Sequence, residues 1–567
     1  MSTVTLSSLH DIELNSWDSI KPLFDELLDR QPVSPDQLIS WLKDRSKLEG
    51  FLQEEMGWRY IHQTCDTRNE EYRIRLEFFI NEIEPKLSEV NDLLNKCLLQ
   101  SPFLSQLPEE GYAVMIRGVK KSVEMFRKEN IPLQTELQLL GNEYGRITGA
   151  MTVEIEGEEM TFQKAANLLK SENRNLREEV YQKIQVRRMK DRELLEDLFD
   201  KMIKIRHQVA INAGYGNYRD YMFDALGRFD YRPEDCSAFH ASIEKLVVPV
   251  CNGFDLERKE KLGYATLHAW DLEVDPEGEP ALEPFSGSDE LIDKTIECFN
   301  RIRGNYGHVI ALMKEKGHLD LDSRVGKAPG GYNYPLYNTG LPFIFMHATG
   351  SLRDMVTMMH EGGHALHSWL SKDLELNDFK NTPSEIAEVA SMAMELLSME
   401  HWDVFFQNQR DLQRAKRYQL EKIISVLPWI ATVDAFQHWI YTHPEHTRKE
   451  RTDKWLELNQ RLGSSVIDRS KFPEFETHSW HRQLHIFEVP FYYIEYGIAQ
   501  LGAIGIWKNY VSGEAANALN WYEKALEAGY TKGLPELYKM AGIKFDFSEQ
   551  YIKSLIELVS IKTEELN

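Results

Sequence analysis

Apolar positions recur three and four residues apart over most of the chain, the spacing at which side chains share one face of an α-helix. Ser34-Pro35 is an N-cap followed by proline at the first helical position, and Leu38, Ile39, Trp41 and Leu42 then supply a face to bury. A longer helical pattern runs from about Asn69 to Leu99. Two segments depart from it. Met151 to Thr161 alternates around Gly157 and predicts a β-hairpin, while Pro342-Phe-Ile-Phe-Met346 is a short apolar run of β type. Val274 to Asp289, with three prolines, two glycines and five carboxylates, predicts a surface excursion. No repeat of fixed period and no low-complexity tract is present. The expected fold is mostly α, with a helical N-terminal region over residues 1–185 and a larger helical region over residues 186–567.

Composition narrows the function classes. The 567 residues are 42% hydrophobic and 28% charged, a globular rather than a disordered balance. Ninety acidic against 66 basic residues give a net charge of −24, which repels phosphate backbones and anionic lipid. Neither nucleic acid nor a membrane is therefore an expected partner. Five cysteines without a CxxC pair fit neither a disulfide framework nor a thiolate zinc cage, and point to a reducing compartment. Met1 to Trp17 carries no basic and apolar leader, and no run of about 18 apolar residues occurs, so the cytoplasm is the expected location.

The chemistry enters at Met359-His360-Glu361-Gly362-Gly363-His364-Ala365. Two histidines at i and i+4 stand on one helix face and can bind one zinc ion, with the intervening glutamate as general base. The pattern is short enough to arise by chance, so its setting matters. Leu352, Met355, Val356, Met359, Gly363, Leu366 and Leu370 form an apolar stripe at helical spacing beside the pair. Gly362 and Gly363 each cost about 1 kcal/mol of helix propensity relative to Ala. Close packing or substrate approach should offset that.

A catalytic zinc takes three protein ligands. His367 lies about 10.5 Å along the axis from His360 and cannot join the pair on an unbroken helix. Leu370 stands where a metzincin has its third histidine, and Pro383 and Ser384 where thermolysin-like spacing needs an acid. Glu385 and Glu388 follow. Thr382-Pro383-Ser384-Glu385 reads as a capping box in which Glu385 reaches back to the backbone N–H of Thr382. Glu388 has no such employment, and small neighbours at Ala387, Ala390, Ser391 and Ala393 would let its helix approach closely. Glu388 is the chosen third ligand, with Glu385 the fallback. Glu395 is either an outer acceptor for a ligand histidine or a surface charge.

Around these residues the chain resembles the zinc oligopeptidases of the oligoendopeptidase F and thimet oligopeptidase family. The likeness is carried by Asp322 to Tyr332, Phe343-Ile-Phe345, Thr349 to Asp354 leading into His360-Glu-Gly-Gly-His364, and Ala387-Glu388-Val389-Ala390-Ser391. It continues at Tyr215-Gly-Asn-Tyr218, His485 to Tyr496, Leu534 to Leu537 and Ala541-Gly542. The oligoendopeptidase F branch is the nearer. The resemblance implies a two-lobed helical metallopeptidase around a deep channel, a small β element beside the zinc helix, one Zn2+, and short peptides as substrates.

It also implies an oxyanion-stabilising histidine and tyrosines, for which the candidates are His485, Tyr492 and Tyr496. Tyr492 and Tyr496 share a helix face, and Tyr493 is displaced from both. Likeness to the family's edge strand implies that substrate pairs main chain to main chain along Pro342 to Met346. Glu361 would act as general base. The leading expectation is a zinc endopeptidase. The alternatives are a dipeptidyl carboxypeptidase and a non-catalytic helical metal- or peptide-binding protein. An acid-lined channel would favour cationic peptides.

Overall fold

The computed structural model describes residues 9, 12–324, 326–328 and 330–566. Most of the N-terminal stretch read for an export leader (residues 1–8, 10 and 11) lies outside them, as do Val325, Pro329 and Asn567. Helices dominate, and the sheets are small. Among the described residues no helix is long and apolar enough to cross a membrane.

Residues Leu14 to Val119 build one hydrophobic core, largely from helices Lys21–Asp29, Pro35–Cys65, Glu84–Gln100 and Tyr112–Met125, and Leu376 and Phe379 reach into it from far along the chain. From Met125 onward, most buried side chains join a second, larger core that runs to Val559, with smaller clusters around the hairpin and around Ile61. These two cores are the basis of the two lobes. Ser34 caps Pro35–Cys65 by accepting from Gln37 N, with Pro35 at the first position and Leu38, Trp41 and Leu42 buried, as expected. The pattern from Asn69 to Leu99 becomes Glu70–Phe78, a single wide turn over Phe79–Ile83, and Glu84–Gln100.

The hairpin forms from β1 (Thr152–Ile155) and β2 (Glu158–Thr161), turning through Glu156 and Gly157, which both have positive φ (51° and 83°). β3 (Leu267–His268) and β7 (Ile467–Asp468) make one short parallel pair. The remaining sheet lies beside the HExxH helix. It consists of β4 (Leu319–Asp322), β5 (Tyr332–Tyr334) and β6 (Phe343–Ala348) in the order β4-β6-β5, with β6 parallel to β4 and antiparallel to β5.

That order corrects one expectation. The apolar run at Pro342 to Met346 is central, with both of its edges already paired, so no peptide can add alongside it. The edge next to it is β5, a three-residue strand whose Tyr-Asn-Tyr sequence gives too little alternation to be read as sheet.

The N-terminal lobe holds this sheet and the adjoining loops in place. Ile61 packs with Leu336, Phe343 and Phe345. The Tyr60 ring lies 5.3 Å from that of Tyr332 and 5.9 Å from that of Tyr334. The Glu54 carboxylate accepts from Asn338 N at 2.8 Å and Thr339 N at 2.7 Å, and Asn377 N donates to Ser46 Oγ at 2.8 Å.

Three helices of the larger lobe carry the candidate chemistry. Leu352–Ser371, the motif helix, starts in a reciprocal capping box between Ser351 and Asp354. Ser384–Met399, the glutamate helix, packs against it on one side and against Tyr493–Asn509, the tyrosine helix, on the other. The two glycines of the motif mark close contacts. A Cβ at Gly363 would sit 2.7 Å from both Ala390 O and Ser391 Cα, and one at Gly362 would sit 2.7 Å from the Phe299 ring. The lost propensity is thus offset by close packing, against backbone at Gly363 and against an aromatic ring at Gly362. Gly363→Ala should destabilise the protein by about 1–3 kcal/mol through overpacking, although Ala is the better helix former. Denaturant melts that show equal or greater stability would contradict this packing.

Candidate active site

The helix approach at Gly363 brings Glu388 over the two motif histidines. Its Oε2 lies 3.2 Å from His360 Nε2 and 3.5 Å from His364 Nε2, and donor atoms of all three residues lie within 4.8 Å of one another. Ser391 Oγ donates to the same Oε2 at 3.0 Å, and Tyr492 OH donates to Oε1 at 2.8 Å. On the far side of His360, Nδ1 lies 2.7 Å from Glu395 Oε1, and Gln419 Nε2 donates to Glu395 Oε2 at 2.7 Å. Glu395 is therefore an outer acceptor for a motif histidine and not a loose surface charge. Glu361 is buried, at 6% exposure, and its backbone carbonyl accepts from Asn333 Nδ2 on β5 at 3.3 Å.

The electrostatics of this set call for a cation. Burial alone would raise the Glu388 carboxyl, yet the imidazoles of His364 and His360 outweigh it and hold the group well below the usual carboxylate range. Burial raises the Glu361 carboxyl. Among the described residues no Lys or Arg is ion-paired with Glu361, Glu388 or Glu395. Two imidazoles and a carboxylate around a shared point, with Glu361 and Glu395 close by and no Lys or Arg paired with these acids among the described residues, fit a divalent metal of the zinc class.

A cavity of about 330 Å3 opens in front of these groups, between β5 and the motif, glutamate and tyrosine helices. Tyr492 and Tyr496 both line it, their rings 5.3 Å apart. Tyr493 does not line it; its hydroxyl meets Trp429. Tyr496 OH lies 3.4 Å from His485 Nε2, and Gln483 Nε2 lies 2.7 Å from His485 Nδ1. Burial lowers the His485 imidazole to about 4, so the ring is neutral near pH 7.

The profile of the Peptidase M3 N-terminal domain matches residues 10–126, and that of Peptidase family M3 matches residues 167–557. The chain belongs to peptidase family M3. The "Oligoendopeptidase F homolog" of Borreliella burgdorferi is 26% identical over 334 residues, covering 56% of this chain and 54% of that protein. "Oligopeptidase PepF" of Bacillus subtilis is 22% identical over 325 residues, covering 56% and 47%. The aligned chain thus spans about half the length of these curated relatives. Among solved structures, "PZ peptidase A with inhibitor 2" superposes with a TM-score of 0.92 at 24% identity, covering 98% of this chain and 99% of that one. That likeness extends the mostly helical M3 architecture over both lobes.

Within this M3 fold His360, His364 and Glu388 come together, Tyr492 and Tyr496 line the same cavity, and His485 lies behind them against Tyr496. Glu385 takes no part in the group, but it does not cap its own helix as expected. The glutamate helix is preceded by Pro383, no capping box forms, and Thr382 N donates to Lys380 O. Glu385 is instead buried and accepts from Tyr231 OH at 2.6 Å, with the Arg228 guanidinium 3.9 Å away. A tertiary partner, invisible to local sequence, replaced the local one. His367 lines the cavity but stays outside the donor group, its imidazole lowered by burial to about 3.

Sequence reading missed Asn333, Gln419 and Gln483, which act by orienting other groups and carry no spacing signature. The cavity is not lined mainly by acids among the described residues, so the condition under which cationic peptides would be favoured is not met there. Apart from Glu361 and Glu388, the charged residues at the cavity are Lys372 and Lys380. Because Glu395 fixes the ring of His360, Glu395→Gln should weaken affinity for a divalent metal about 10–100-fold in chelator competition. Unchanged affinity would contradict the orienting role.

Proposed function

We propose that the protein is a zinc-dependent endopeptidase that cuts internal bonds of short oligopeptides. The observation that carries this reading is the convergence of Glu388 Oε2 on the Nε2 atoms of His360 and His364, beside Glu361 and at the wall of a cavity. We assign His360, His364 and Glu388 as the ligands of one Zn2+. When bound there, zinc supplies Lewis acidity that lowers the pKa of a water molecule and polarises a carbonyl oxygen.

Glu361 follows His360 on the same helix, turned about 100° from it. Its buried carboxylate, raised in basicity, takes the proton of the attacking water and later delivers it to the leaving amine nitrogen. Tyr496 is assigned as a donor to the developing oxyanion with His485 supporting it from behind, and Tyr492 would join it once its hydroxyl turns from Glu388 Oε1. With Gln483 donating to Nδ1, the neutral His485 ring carries its proton on Nε2, the atom that faces Tyr496. Peptide main chain pairs with the outer edge of β5, which gives affinity without strict demands on side chains.

A second reading, a dipeptidyl carboxypeptidase, draws on Lys372 and Lys380 at the cavity, which could meet a substrate's C-terminal carboxylate. Peptides blocked at both ends separate the two, since internal cleavage of such a substrate requires no free terminus. The odd cysteine number keeps a reducing, cytoplasmic location as part of the proposal.

Glu361→Gln should keep its metal while turnover falls about 10²–10⁴-fold, the usual weight of a general base. Near-normal turnover on a fluorogenic peptide would remove Glu361 from the mechanism. Glu388→Ala should lose metal on dialysis while Glu385→Ala keeps it, read by elemental analysis. The reverse pattern would exchange their roles.

A further inference from the structure

A second set of donors, sharing no residue with the first, lies between helix Pro233–Leu246 and the long helix Gln409–Thr442. Cys236 Sγ, a carboxylate oxygen of Asp434 and a ring nitrogen of His438 all lie within 4.8 Å of one another. The set is built from two i, i+4 pairs, Cys236 with His240 on one helix and Asp434 with His438 on the other. His240 Nε2 lies 2.8 Å from Asp434 Oδ2, and His438 Nε2 lies 3.3 Å from the same atom without hydrogen-bond geometry.

Asp434 is fully buried, and its Oδ1 has no hydrogen-bond partner among the described residues. Nor does any Lys or Arg among them ion-pair with it; the nearby Arg228 guanidinium is 2.7 Å from Glu495 instead. One protonated histidine would explain Oδ2. It leaves an unsatisfied buried carboxylate oxygen beside a buried thiol, an arrangement that costs stability unless a cation meets it. Thiolate, imidazole and carboxylate are the donors that zinc-class ions select, and a buried set of this kind is the environment of a structural site.

We propose that Cys236, Asp434 and His438 hold a second, structural divalent ion of the zinc class, with His240 orienting Asp434 and standing next to the remaining coordination position. Ion binding would couple to folding, because the donors come from helices far apart in sequence. It would also brace the entrance to the tyrosine helix. The His438 ring lies 5.4 Å from that of Phe491, and Gln437 Oε1 accepts from Phe491 N. Phe491 has φ of 70°, a strained value for a non-glycine residue, and directly precedes Tyr492.

The proposal stands independently of the peptidase reading, and its test removes the first donor set. The full-length His360→Ala/His364→Ala variant, with native circular dichroism, is titrated with Co2+. One equivalent should bind with a thiolate-to-cobalt charge-transfer absorption that disappears when Cys236→Ser is added. Absence of cobalt uptake, or an absorption unchanged by Cys236→Ser, overturns the proposal. Should the double variant fail to fold, elemental analysis of the zinc-loaded wild-type chain beside Cys236→Ser decides, with one equivalent fewer expected in the variant and equal zinc contradicting.

Discussion

The candidate site depends on how closely two helix backbones can approach. Gly363 lies against Ala390 and Ser391 with no room for a single methyl group, and that contact sets the distance from Glu388 to the motif histidines. Gly363 stands three positions after His360 and directly before His364, so any displacement of the glutamate helix acts directly on the donor spacing. Overpacking here would be felt as stability and as geometry together, because a close-packed interior has little slack. The tyrosine helix, packed on the other side of the glutamate helix, passes the same constraint on to Tyr492 and Tyr496.

Burying so many carboxylates is costly, and the protein compensates each one differently. Glu388 is held by two imidazoles, Ser391 and Tyr492; Glu395 by His360 and Gln419; Glu385 by Tyr231. Glu495 has the Arg228 guanidinium, yet burial together with Glu385 pushes its carboxyl up to about 8. Glu361 has no charged partner beyond the nearby imidazoles. In the proposed mechanism its carboxylate is the one that takes a proton from water, so burial there would serve chemistry.

Much of this was legible in the chain because helical period is encoded locally. The stripe from Leu352 to Leu370, the His360/His364 pair and the Ser34-Pro35 start need only neighbours within a turn or two. The small residues around Glu388 announced close packing before any partner was known. What stayed hidden depends on distant partners. Glu385 is tied to Tyr231, not to Thr382; β4 and β5 are too short to show alternation and exist because β6 pairs with both; Cys236 and His438 meet only when two separate helices pack. The same holds for the N-terminal lobe, whose Glu54 and Ser46 fix loops beside the cavity through contacts that no local pattern foretells.

The central claim is that Glu388, brought in by the Gly363 contact, completes a metal site with His360 and His364. X-ray diffraction from crystals of the zinc-loaded protein, recorded on both sides of the zinc absorption edge, tests it directly. The account predicts an anomalous peak within bonding distance of His360 Nε2, His364 Nε2 and a Glu388 carboxylate oxygen. A peak ligated by Glu385 in place of Glu388, or no peak between the two histidines, would contradict it.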